Sequence, residues 1–429
     1  MEEYISVCCV SQSFLPYIGG LAKYVEALGK QFIGHGHDFK VIHFKTSAIS
    51  PIDFASGIQM IRTDVPKLGE ETLSKYMKFK EFILNVTHGE NCPADPGNPE
   101  GHGEYIEVNE KLAQDIVDAY NYKPFSILHV HDFQTLPLAR ILKEKHMLDI
   151  PIVFTWHIPL TAGISPWWRS FFVGHMSVYD RLVFSTEEYV EAAVSMGLPK
   201  EKVVKISPFI DVEGYRIEGE NGIRERYGIG KDEFLILCVS RIDPRKGQEL
   251  LIEAVDKMAQ ENGMRRFRCV FVGNGSFSKE LLKTARSERL QKLMDSVRER
   301  GLDNRVMFTG KVNDEDLHRL YDASDVVVQP SFQEGFGLTM SEAMVFGKPV
   351  IGSRVGGLPD QIEDGKNGYL FEKGNADQLK DRLVELMESP ELRGEMGSNG
   401  SEMVRKRFSS EVGYERYLEL YMDVLGKKL

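Results

Sequence analysis

The residues with the most chemical potential lie in a glycine-rich segment at positions 330–343. An apolar run at 326–328 leads into it, and apolar residues at helical spacing resume around 339–346. Glycines let a ligand approach the amino end of such a helix, whose dipole favours phosphate. Glu334 stands at the entrance of the segment, where a sugar or a reacting centre would lie. Glu342 stands about a turn into the helix, where a carboxylate could accept paired hydrogen bonds from a ribose diol.

Two cations follow another apolar run, at residues 234–239. Arg241 comes almost directly after the run, and Lys246 lies five positions later. Because Pro244 fixes a turn between them, both side chains can converge on one anion, with arginine as a planar fork and lysine as a point charge. A solvated basic loop is the ordinary alternative. Gly273, which follows the next apolar run, offers another loop that a ligand could approach closely.

Polar residues also end two apolar runs in the first half of the chain. His131 and Asp132 directly follow the run at 127–130, and His157 follows the run at 152–155 after one tryptophan. A lone histidine is usually structural. Two histidines at successive predicted strand ends, one beside a carboxylate, indicate a functional site.

These residues must be positioned by alternating strands and helices. The predicted strands are residues 4–10, 39–44, 127–130, 152–155, 182–185, 234–239, 269–272, 306–308, 326–329 and 349–351. Amphipathic stretches such as 247–259 and 315–323 separate them. The alternation predicts an α/β protein with parallel sheets and helices on both faces, which binds ligands beyond the carboxyl ends of its strands. The segment 207–222 has no clear period and is the predicted linker.

Composition excludes several classes of protein. The chain has 429 residues, of which 42% are hydrophobic and 27% charged, so it is neither disordered nor fibrous and is long enough for two or three domains. Its net charge of −11 argues against a nucleic-acid binder. No apolar run reaches the ~18 residues of a transmembrane helix, and the start lacks a signal peptide. Five cysteines, four of them in apolar runs, indicate a reducing, cytoplasmic location.

The chain resembles the retaining glycosyltransferases of the GT-B fold, especially family 4 (group 1) and the related glycogen synthases. Seven residues separate Glu334 from Glu342, as in the signature of that family. The matching segments are residues 14–21, 130–132, 154–157, 240–247, 334–342 and 352–360. They keep the order of the family and are spread over nearly the whole chain, so the resemblance is specific to fold and reaction class and much less specific to substrate.

The resemblance implies two Rossmann-like domains that face across a cleft. Residues 1–206 would form the acceptor-side domain, and residues 207–407 the domain that binds the nucleotide-sugar donor. The final helix, within 408–429, would pack back on the first domain. The implied reaction moves a hexosyl group from a nucleotide-diphosphate sugar to a hydroxyl acceptor, with retention of configuration and without a cofactor.

The resemblance also implies the site residues. The catalytic residues would be His157, Glu334, Arg241, Lys246 and Asp132. The donor-binding residues would be Gly19, Gly20, Gly273, Gly335, Phe336, Gly337, Leu338, Thr339 and Glu342. No carboxylate nucleophile is obvious, so we expect attack from the face that the leaving group occupies, with the donor phosphate assisting deprotonation of the acceptor.

Three local patterns have structural alternatives. Gly19-Gly20 could admit a phosphate to a helix amino end, and a plain tight turn is equally consistent. Residues 314–316 match an Asp-x-Asp string that holds metal in the other glycosyltransferase fold, but helical spacing follows them. We therefore predict an acidic helix start and no catalytic metal. Tyr17-Ile18 replaces a lysine typical of bacterial glycogen synthases, whereas residues 131–134 lean toward glucan synthases, so the acceptor class stays open.

The tryptophans indicate where an acceptor could bind. Trp156, Trp167 and Trp168 all lie within thirteen residues that begin next to His157. Core packing, an aromatic platform for a sugar ring and a membrane-surface anchor are the alternatives. Arg169 is the only lysine or arginine nearby, so the anchor ranks third, although peripheral membrane contact stays open. We predict that Trp167 or Trp168 lines the acceptor side.

Other functions fit the sequence less well. A dinucleotide-dependent dehydrogenase would carry a complete Gly-x-Gly-x-x-Gly after the first strand, and this chain does not. A nucleotide-sugar epimerase of the same architecture is the main alternative, because Glu334, Arg241 and Lys246 would serve it equally well. A non-catalytic subunit is the third. Release of free nucleoside diphosphate would distinguish a transferase from an epimerase. The nucleotide base, the sugar and the oligomeric state stay open.

Overall fold

A computed structural model of the chain describes residues 4–12, 14, 20–43, 52–89, 97, 99–219, 221–261, 266–273 and 280–426. The chain divides into two compact units. The first unit combines Met1–Phe209 with Ser410–Leu429, and the second unit is Ile210–Ser409.

The first unit is built on an eight-stranded sheet. Its strands are β1 (Ser6–Ser11), β2 (Asp38–His43), β3 (Ile52–Ala55), β4 (Ile58–Arg62), β5 (Ile127–His131), β6 (Ile152–Trp156), β7 (Arg181–Phe184) and β8 (Val203–Lys205). They lie in the order β3-β4-β2-β1-β5-β6-β7-β8, and every neighbouring pair is parallel except β3 with β4. The order reverses direction between β1 and β5, where such sheets bind ligands.

Helices cover both faces of this sheet. They include α1 (Gly20–Gly34), α2 (Glu70–Thr87), α3 (His102–Tyr122), α4 (Leu138–Lys145), α5 (Pro166–Met176) and α6 (Glu187–Ser195). Side chains of β1 alternate between two cores, as the period of two in a strand requires. Val7 packs with Phe32 of α1, whereas Cys8 packs with Leu112 of α3 and Phe172 of α5.

The second unit is built on a six-stranded, fully parallel sheet. Its strands are β9 (Phe234–Val239), β10 (Phe267–Val272), β11 (Val306–Gly310), β12 (Val326–Gln329), β13 (Val350–Ser353) and β14 (Gly368–Phe371). They lie in the order β11-β10-β9-β12-β13-β14. This is the strand order of the dinucleotide-binding fold, in which the chain reverses direction between the two central strands. The strands consist mainly of buried apolar residues because helices cover both faces.

The remaining helices are α7 (Ile223–Arg226), α8 (Gln248–Gln260), α9 (Glu280–Glu299), α10 (Asp314–Ala323), α11 (Leu338–Val345), α12 (Leu358–Gln361), α13 (Ala376–Glu388), α14 (Pro390–Arg407) and α15 (Ser410–Val424). The last of these, α15, belongs to the first unit. Its Tyr417 hydroxyl lies 2.6 Å from the Tyr24 hydroxyl of α1, and Tyr414 packs edge-on against Phe32. The aromatic spacing along α15 therefore serves to complete the core beneath α1.

All ten predicted strands are confirmed, with ends that differ by at most two residues. The sequence did not predict β3, β4, β8 and β14, which are short strands at or near a sheet edge. The acidic string at 314–316 is confirmed as the first turn of α10, where the Asn313 side chain accepts a hydrogen bond from the Asp316 amide. Among the described helices, none has both the length and the apolar character needed to span a bilayer.

Candidate active site

The second unit concentrates its polar residues at the switch point between β9 and β12. Arg241 and Lys246 follow β9, and Glu334 follows β12. Thr339, in the first turn of α11, donates a 3.4 Å hydrogen bond to the carbonyl of Val239 at the end of β9. The amino end of α11 thus lies beside the end of β9, as expected of a site that binds a phosphate.

Lys246 and Glu334 form a paired contact at this edge. The Lys246 ammonium lies 2.8 Å from each carboxylate oxygen of Glu334. Their side chains are 16% and 10% exposed, so the pair is largely withdrawn from water. Gln329 and Ser331 donate further hydrogen bonds to Oε2 of Glu334, at 3.0 and 3.1 Å. These donors fix the orientation of the carboxylate.

Backbone hydrogen bonds hold the two loops against each other. The carbonyl of Arg245 accepts from the amides of Phe332, at 2.7 Å, and Gln333, at 3.2 Å. The turn at Pro244–Lys246 is itself closed by Asp243, whose carboxylate accepts from the Arg245 amide and guanidinium. Burial disfavours the charged form of Asp243, but the bonds from Arg245 outweigh it and hold the Asp243 pKa well below its usual value. The loops therefore bring Lys246 to Glu334 through fixed backbone geometry.

Gly247 makes this close approach possible. Its φ is +67°, and a Cβ atom there would lie 1.9 Å from the carbonyl oxygen of Pro330. Gly247→Ala is therefore expected to push the two loops apart and to lower kcat roughly tenfold or more, since small misplacements of catalytic groups are costly. Steady-state kinetics and thermal unfolding would measure it.

Gly301 is the matched control for this change. Its φ is +68°, and nothing lies within 4 Å of its Cβ position. Gly301→Ala should cost about 1–2 kcal/mol of stability for the left-handed conformation and leave kcat unchanged. Equal kinetic losses in the two variants would contradict a specific role for the contact between the loops.

Glu342 is held by two tyrosines. The hydroxyl of Tyr215 donates to Oε1 at 2.8 Å, and the hydroxyl of Tyr321 donates to Oε2 at 2.7 Å. Burial of Tyr321, and then the neighbouring carboxylate, raise the pKa of this phenol well above its usual value, so it remains a donor. Each carboxylate oxygen keeps a further lone pair for a ligand hydroxyl.

The predicted donor-binding loop before α11 can offer a ligand mainly backbone groups rather than polar side chains. Phe336 is buried, and Gly337 has φ +87° with a Cβ position only 2.8 Å from Leu358. Buried Gln361 donates to the carbonyls of Phe336 and Gly337, and Gly335 accepts from the amide of Gly357. The segment around Gly357 and Gln361 thus supports the glycine loop at 335–337. Leu338 is half-buried.

Arg241 and Gly273 differ in what they can offer a ligand. Arg241 is exposed, and within the described residues its guanidinium makes no hydrogen bond or ion pair. Its backbone carbonyl accepts from buried Gln248 at 2.7 Å. Gly273 has φ +123°, and a Cβ there would lie 2.3 Å from the Ser240 carbonyl, so this glycine is needed for packing between β9 and β10.

In the first unit the structure brings Asp132 and His157 together at the ends of β5 and β6. The amide of His157 donates to Oδ1 of Asp132 at 3.2 Å, and the amide of Asp132 donates to the carbonyl of Thr155 at 2.9 Å. Asp132 has φ 68° and ψ 170°, a region otherwise almost reserved for glycine. Backbone strain of this kind clusters at functional sites.

Burial controls the charge of both side chains. It raises the pKa of Asp132 to about 6 and lowers that of His157 to about 3. His157 is therefore a neutral imidazole near pH 7. Its Nε2 atom lies 3.0 Å from Nδ1 of His131, so a second histidine orients the ring.

The other predicted site residues of this unit are the two glycines before or at the start of α1 and the two tryptophans of α5. Gly19 lies outside the described residues, and Gly20 is the exposed first residue of α1. Trp168 is 1% exposed and packs against Phe79 and Phe172, so only Trp167 can present a ring surface. Trp167 is half-buried and stacks on Phe171, with ring centroids 5.6 Å apart.

The sequence prediction did not include the residues that support the site. These are Gln248, Gln329, Ser331, Gln361, Tyr215 and Tyr321. It also gave His131 no role in orienting the ring of His157. Gln329 gave a usable signal, because it is a polar residue that closes an otherwise apolar strand. Tyr215 gave none, since its partner Glu342 lies 127 positions away.

The two halves of the chain match two models of one group of enzymes. Residues 18–213 match the glycosyltransferase family 4 model, and residues 220–403 match the model of glycosyl transferases group 1. The chain is also 31% identical to trehalose synthase of Thermococcus litoralis over 321 residues, which cover 74% of this chain and 73% of that protein. The chain belongs to this glycosyltransferase family.

Other similarities agree with that assignment. This glycosyltransferase is 26% identical to N-acetyl-alpha-D-glucosaminyl L-malate synthase of Bacillus anthracis, over 99% of this chain and 98% of that protein. It superposes on the Anabaena protein HepE, in complex with UDP and glucose, with a TM-score of 0.72 at 19% identity, covering 98% and 100% of the two chains. The predicted GT-B fold is confirmed. The enzyme transfers a glycosyl group from a nucleotide sugar to an acceptor, and nothing favours the epimerase alternative.

Proposed function

We propose that this glycosyltransferase is a metal-independent, retaining hexosyltransferase that uses a nucleotide-diphosphate sugar and a hydroxyl acceptor, and that it needs no cofactor. The observation that carries the proposal is the Lys246–Glu334 pair at the switch point, beside the amino end of α11. It combines a cation for phosphate with a carboxylate for sugar hydroxyls in one desolvated place.

The cations have the geometry needed to stabilise a leaving diphosphate. Lys246 has three N–H donors, so it can donate to a phosphate while it keeps a bond to Glu334. Arg241 adds an exposed guanidinium from the same loop. Negative charge grows on the diphosphate as the glycosidic bond breaks, and fixed cations stabilise that charge in the transition state. Glu334 is the proposed acceptor for the sugar hydroxyls.

Glu342 is the proposed ribose-binding residue. Tyr215 and Tyr321 orient its carboxylate, and the remaining lone pairs can accept from two adjacent hydroxyls of a ribose. The glycine loop at 335–337 lets a phosphate reach the first turn of α11, where Thr339 and the positive end of the helix dipole favour negative charge.

His157 is proposed to contact the transferring sugar, and Asp132 to help position the sugar or the acceptor. A neutral imidazole can hydrogen-bond a sugar hydroxyl without repelling the positive charge that develops on the sugar. Asp132 already accepts from the amide of His157, so it fixes the backbone that carries the ring. Retention without a covalent intermediate fits these roles, since neither residue is proposed as a nucleophile.

Metal independence is proposed because protein cations fill the electrostatic role. The acidic string at 314–316 has a structural role, since the Asp316 amide donates the cap hydrogen bond of α10 and the Asp316 carboxylate pairs with Arg226. Addition of EDTA should therefore leave turnover unchanged. A cytoplasmic location likewise stays a prediction.

Donor screening tests the proposal. UDP-glucose is the first donor to try, because HepE was solved in complex with it. We expect release of nucleoside diphosphate that depends on an acceptor, with sugars and small hydroxylated acids or phosphates as the acceptor panel. The configuration at the anomeric carbon of the product, read by proton NMR, should match that of the donor. An inverted product, or an isomerised donor without diphosphate release, would contradict the proposal.

Trp167 is the proposed acceptor platform. Trp167→Ala is expected to raise the acceptor KM about three- to tenfold, the equivalent of one aromatic contact, with donor hydrolysis unchanged. Trp168→Ala is the matched control, because removal of a buried tryptophan costs about 3–5 kcal/mol of stability. If Trp167→Ala destabilises the protein as much as its neighbour and leaves the acceptor KM unchanged, Trp167 belongs to the core.

A further inference from the structure

A line of buried side chains connects β1 to His157. Nδ1 of His131 lies 3.0 Å from Nε2 of His157, and Nε2 of His131 lies 3.6 Å from Sγ of Cys9. Cys9 and His131 are completely buried. The rings of His131 and His157 are 21° from parallel, with centroids 5.3 Å apart. Each nitrogen of His131 therefore faces one neighbour.

The thiol sets the direction of these hydrogen bonds. Burial raises the pKa of Cys9 well above its ordinary value, so the sulfur keeps its proton. Among the residues that the structure describes, Sγ of Cys9 has no hydrogen-bond partner besides His131. The S–H group is therefore satisfied only if it donates to Nε2 of His131. A neutral imidazole has one donor and one acceptor, so the proton of His131 then lies on Nδ1.

The same reasoning extends to His157. Nδ1–H of His131 donates to Nε2 of His157, which must accept and so carries its own proton on Nδ1. In the part of the chain that the structure describes, Nδ1 of His157 makes no hydrogen bond, and the residue is half-buried. In the opposite arrangement His157 would present a lone pair, and the thiol proton would lose the one acceptor that the described residues offer it.

We propose that Cys9 and His131 are positioning residues that hold His157 as its Nδ1–H tautomer, so that His157 donates a hydrogen bond to a hydroxyl oxygen of the transferring sugar. The inference rests on the proposed contact between His157 and the sugar. The protonated nitrogen of a histidine is set by the bond that the other nitrogen makes. A donor whose direction is fixed before the substrate binds needs no reorganisation during the reaction.

A metal ion is the competing explanation of this cluster. Ligand atoms of Cys9, His129 and His131 lie within 4.8 Å of one another. His129, however, is already engaged on both sides, because the Tyr421 hydroxyl lies 2.6 Å from its Nδ1 and Oγ1 of Thr155 lies 2.7 Å from its Nε2. Both nitrogens of His131 are engaged as well. The hydrogen-bond chain therefore explains the geometry with nothing added.

Nitrogen-15 NMR of the full-length enzyme with labelled imidazoles tests the tautomer without any substrate. The signals of His157 are assigned by their loss in His157→Gln. We expect Nδ1 of His157 to be protonated and Nε2 to be an acceptor. A protonated Nε2 would overturn the proposal, and so would a stoichiometric metal ion found by elemental analysis of the purified enzyme.

Paired variants test the effect on catalysis. Cys9→Ser and His131→Asn keep a donor in each position, whereas Cys9→Ala and His131→Phe remove it. We expect kcat to fall about five- to tenfold in the second pair, as for the loss of one ordinary hydrogen bond. The donor KM should stay within about twofold, and the first pair should stay near the wild type. Equal losses in both members of a pair would mean a merely structural role. If His131→Phe does not fold, the comparison of Cys9→Ala with Cys9→Ser tests the proposal on its own.

His157→Ala separates this inference from the proposed function. If that variant keeps wild-type turnover, His157 does not contact the reacting sugar, whatever its tautomer, and the proposed function fails at this residue. If it loses most of its turnover while Cys9→Ala and Cys9→Ser behave alike, only the hydrogen-bond chain is wrong.

Discussion

Replacing Lys246 with alanine is expected to lower kcat about 100-fold or more, and Arg241→Ala should do the same, because each removes a cation from the growing charge of the diphosphate. Lys246→Ala has a second effect, on Glu334. The Glu334 side chain is 10% exposed and would lose its contact with the Lys246 ammonium, which compensates the charge of this buried carboxylate. Turnover at saturating donor and acceptor is the measurement.

Lys257→Ala is the matched control for this loss of one positive charge. Lys257 lies on α8 of the same unit and pairs with Glu253 and Asp377 at the surface. Exposed pairs of this kind are worth about 0–1 kcal/mol, so activity and stability should hardly change. Near-wild-type turnover in both Lys246→Ala and Arg241→Ala would show that these cations do not stabilise the leaving group.

Lys246→Ala combined with Glu334→Gln refines the assignment. Because the two side chains are in direct contact, the effects of the single changes should not add. The double variant should be less impaired than the product of the two single losses predicts. Strict additivity would mean that the contact between the two residues is unimportant in the working enzyme.

The second large effect is expected from acid. Burial holds the pKa of His129 and His131 well below the ordinary value and lowers that of His157 to about 3. In the unfolded chain all three would titrate near 6.5. The stability that neutral burial provides is therefore complete above about pH 6.5 and is lost as the pH falls toward the folded values. Each histidine contributes a slope of about 1.4 kcal/mol per pH unit.

Asp132 changes the free energy of unfolding in the opposite direction as the pH falls. Its pKa is raised to about 6 in the folded protein, so between about pH 6 and 4 the folded state holds a proton that the unfolded state has released. Three histidines less one carboxyl leave a net slope of about 3 kcal/mol per pH unit in that range from these four groups alone. Two pH units would therefore remove much of a typical stability of about 5–15 kcal/mol.

Urea unfolding between pH 7 and pH 4 measures this slope. Asp132→Asn tests the sign of the Asp132 contribution. Removal of this carboxyl, which opposes the histidines, should steepen the slope by about 1.4 kcal/mol per pH unit. His131→Asn should make it shallower by a similar amount. A free energy of unfolding that is flat from pH 7 to pH 5 would mean that these histidines are not buried as neutral groups.

The strands were predictable because parallel strands covered on both faces are nearly continuous apolar runs. β9 and β12 read this way, and both were predicted with their observed ends. β14 could not be predicted, since it has only four residues and begins with a glycine. The three residues of β8 are all half-buried, so they show neither an apolar run nor an alternation.

The site was predictable where chemistry follows a strand end. That rule proposed Lys246 and Glu334 in the second unit and Asp132 in the first, because the loops at this edge of one parallel sheet meet in space. The orienting partners were not predictable from the sequence. Gln361 acts on a carbonyl 25 positions away, so nothing in its local sequence could reveal the contact. Burial of Trp168 likewise depends on Phe79, a residue of another helix.

The return of α15 to the first unit has a consequence for synthesis on the ribosome. Helix α15 leaves the ribosome after the second unit, yet it completes the core to which Phe32 and Phe209 belong. The nascent first unit must therefore wait, with part of its apolar face uncovered, until all 200 residues of the second unit (210–409) have been translated. At about 5–20 residues per second this delay lasts roughly 10–40 s. The second unit is continuous in sequence and has no such wait, so it can finish folding before the unit that precedes it.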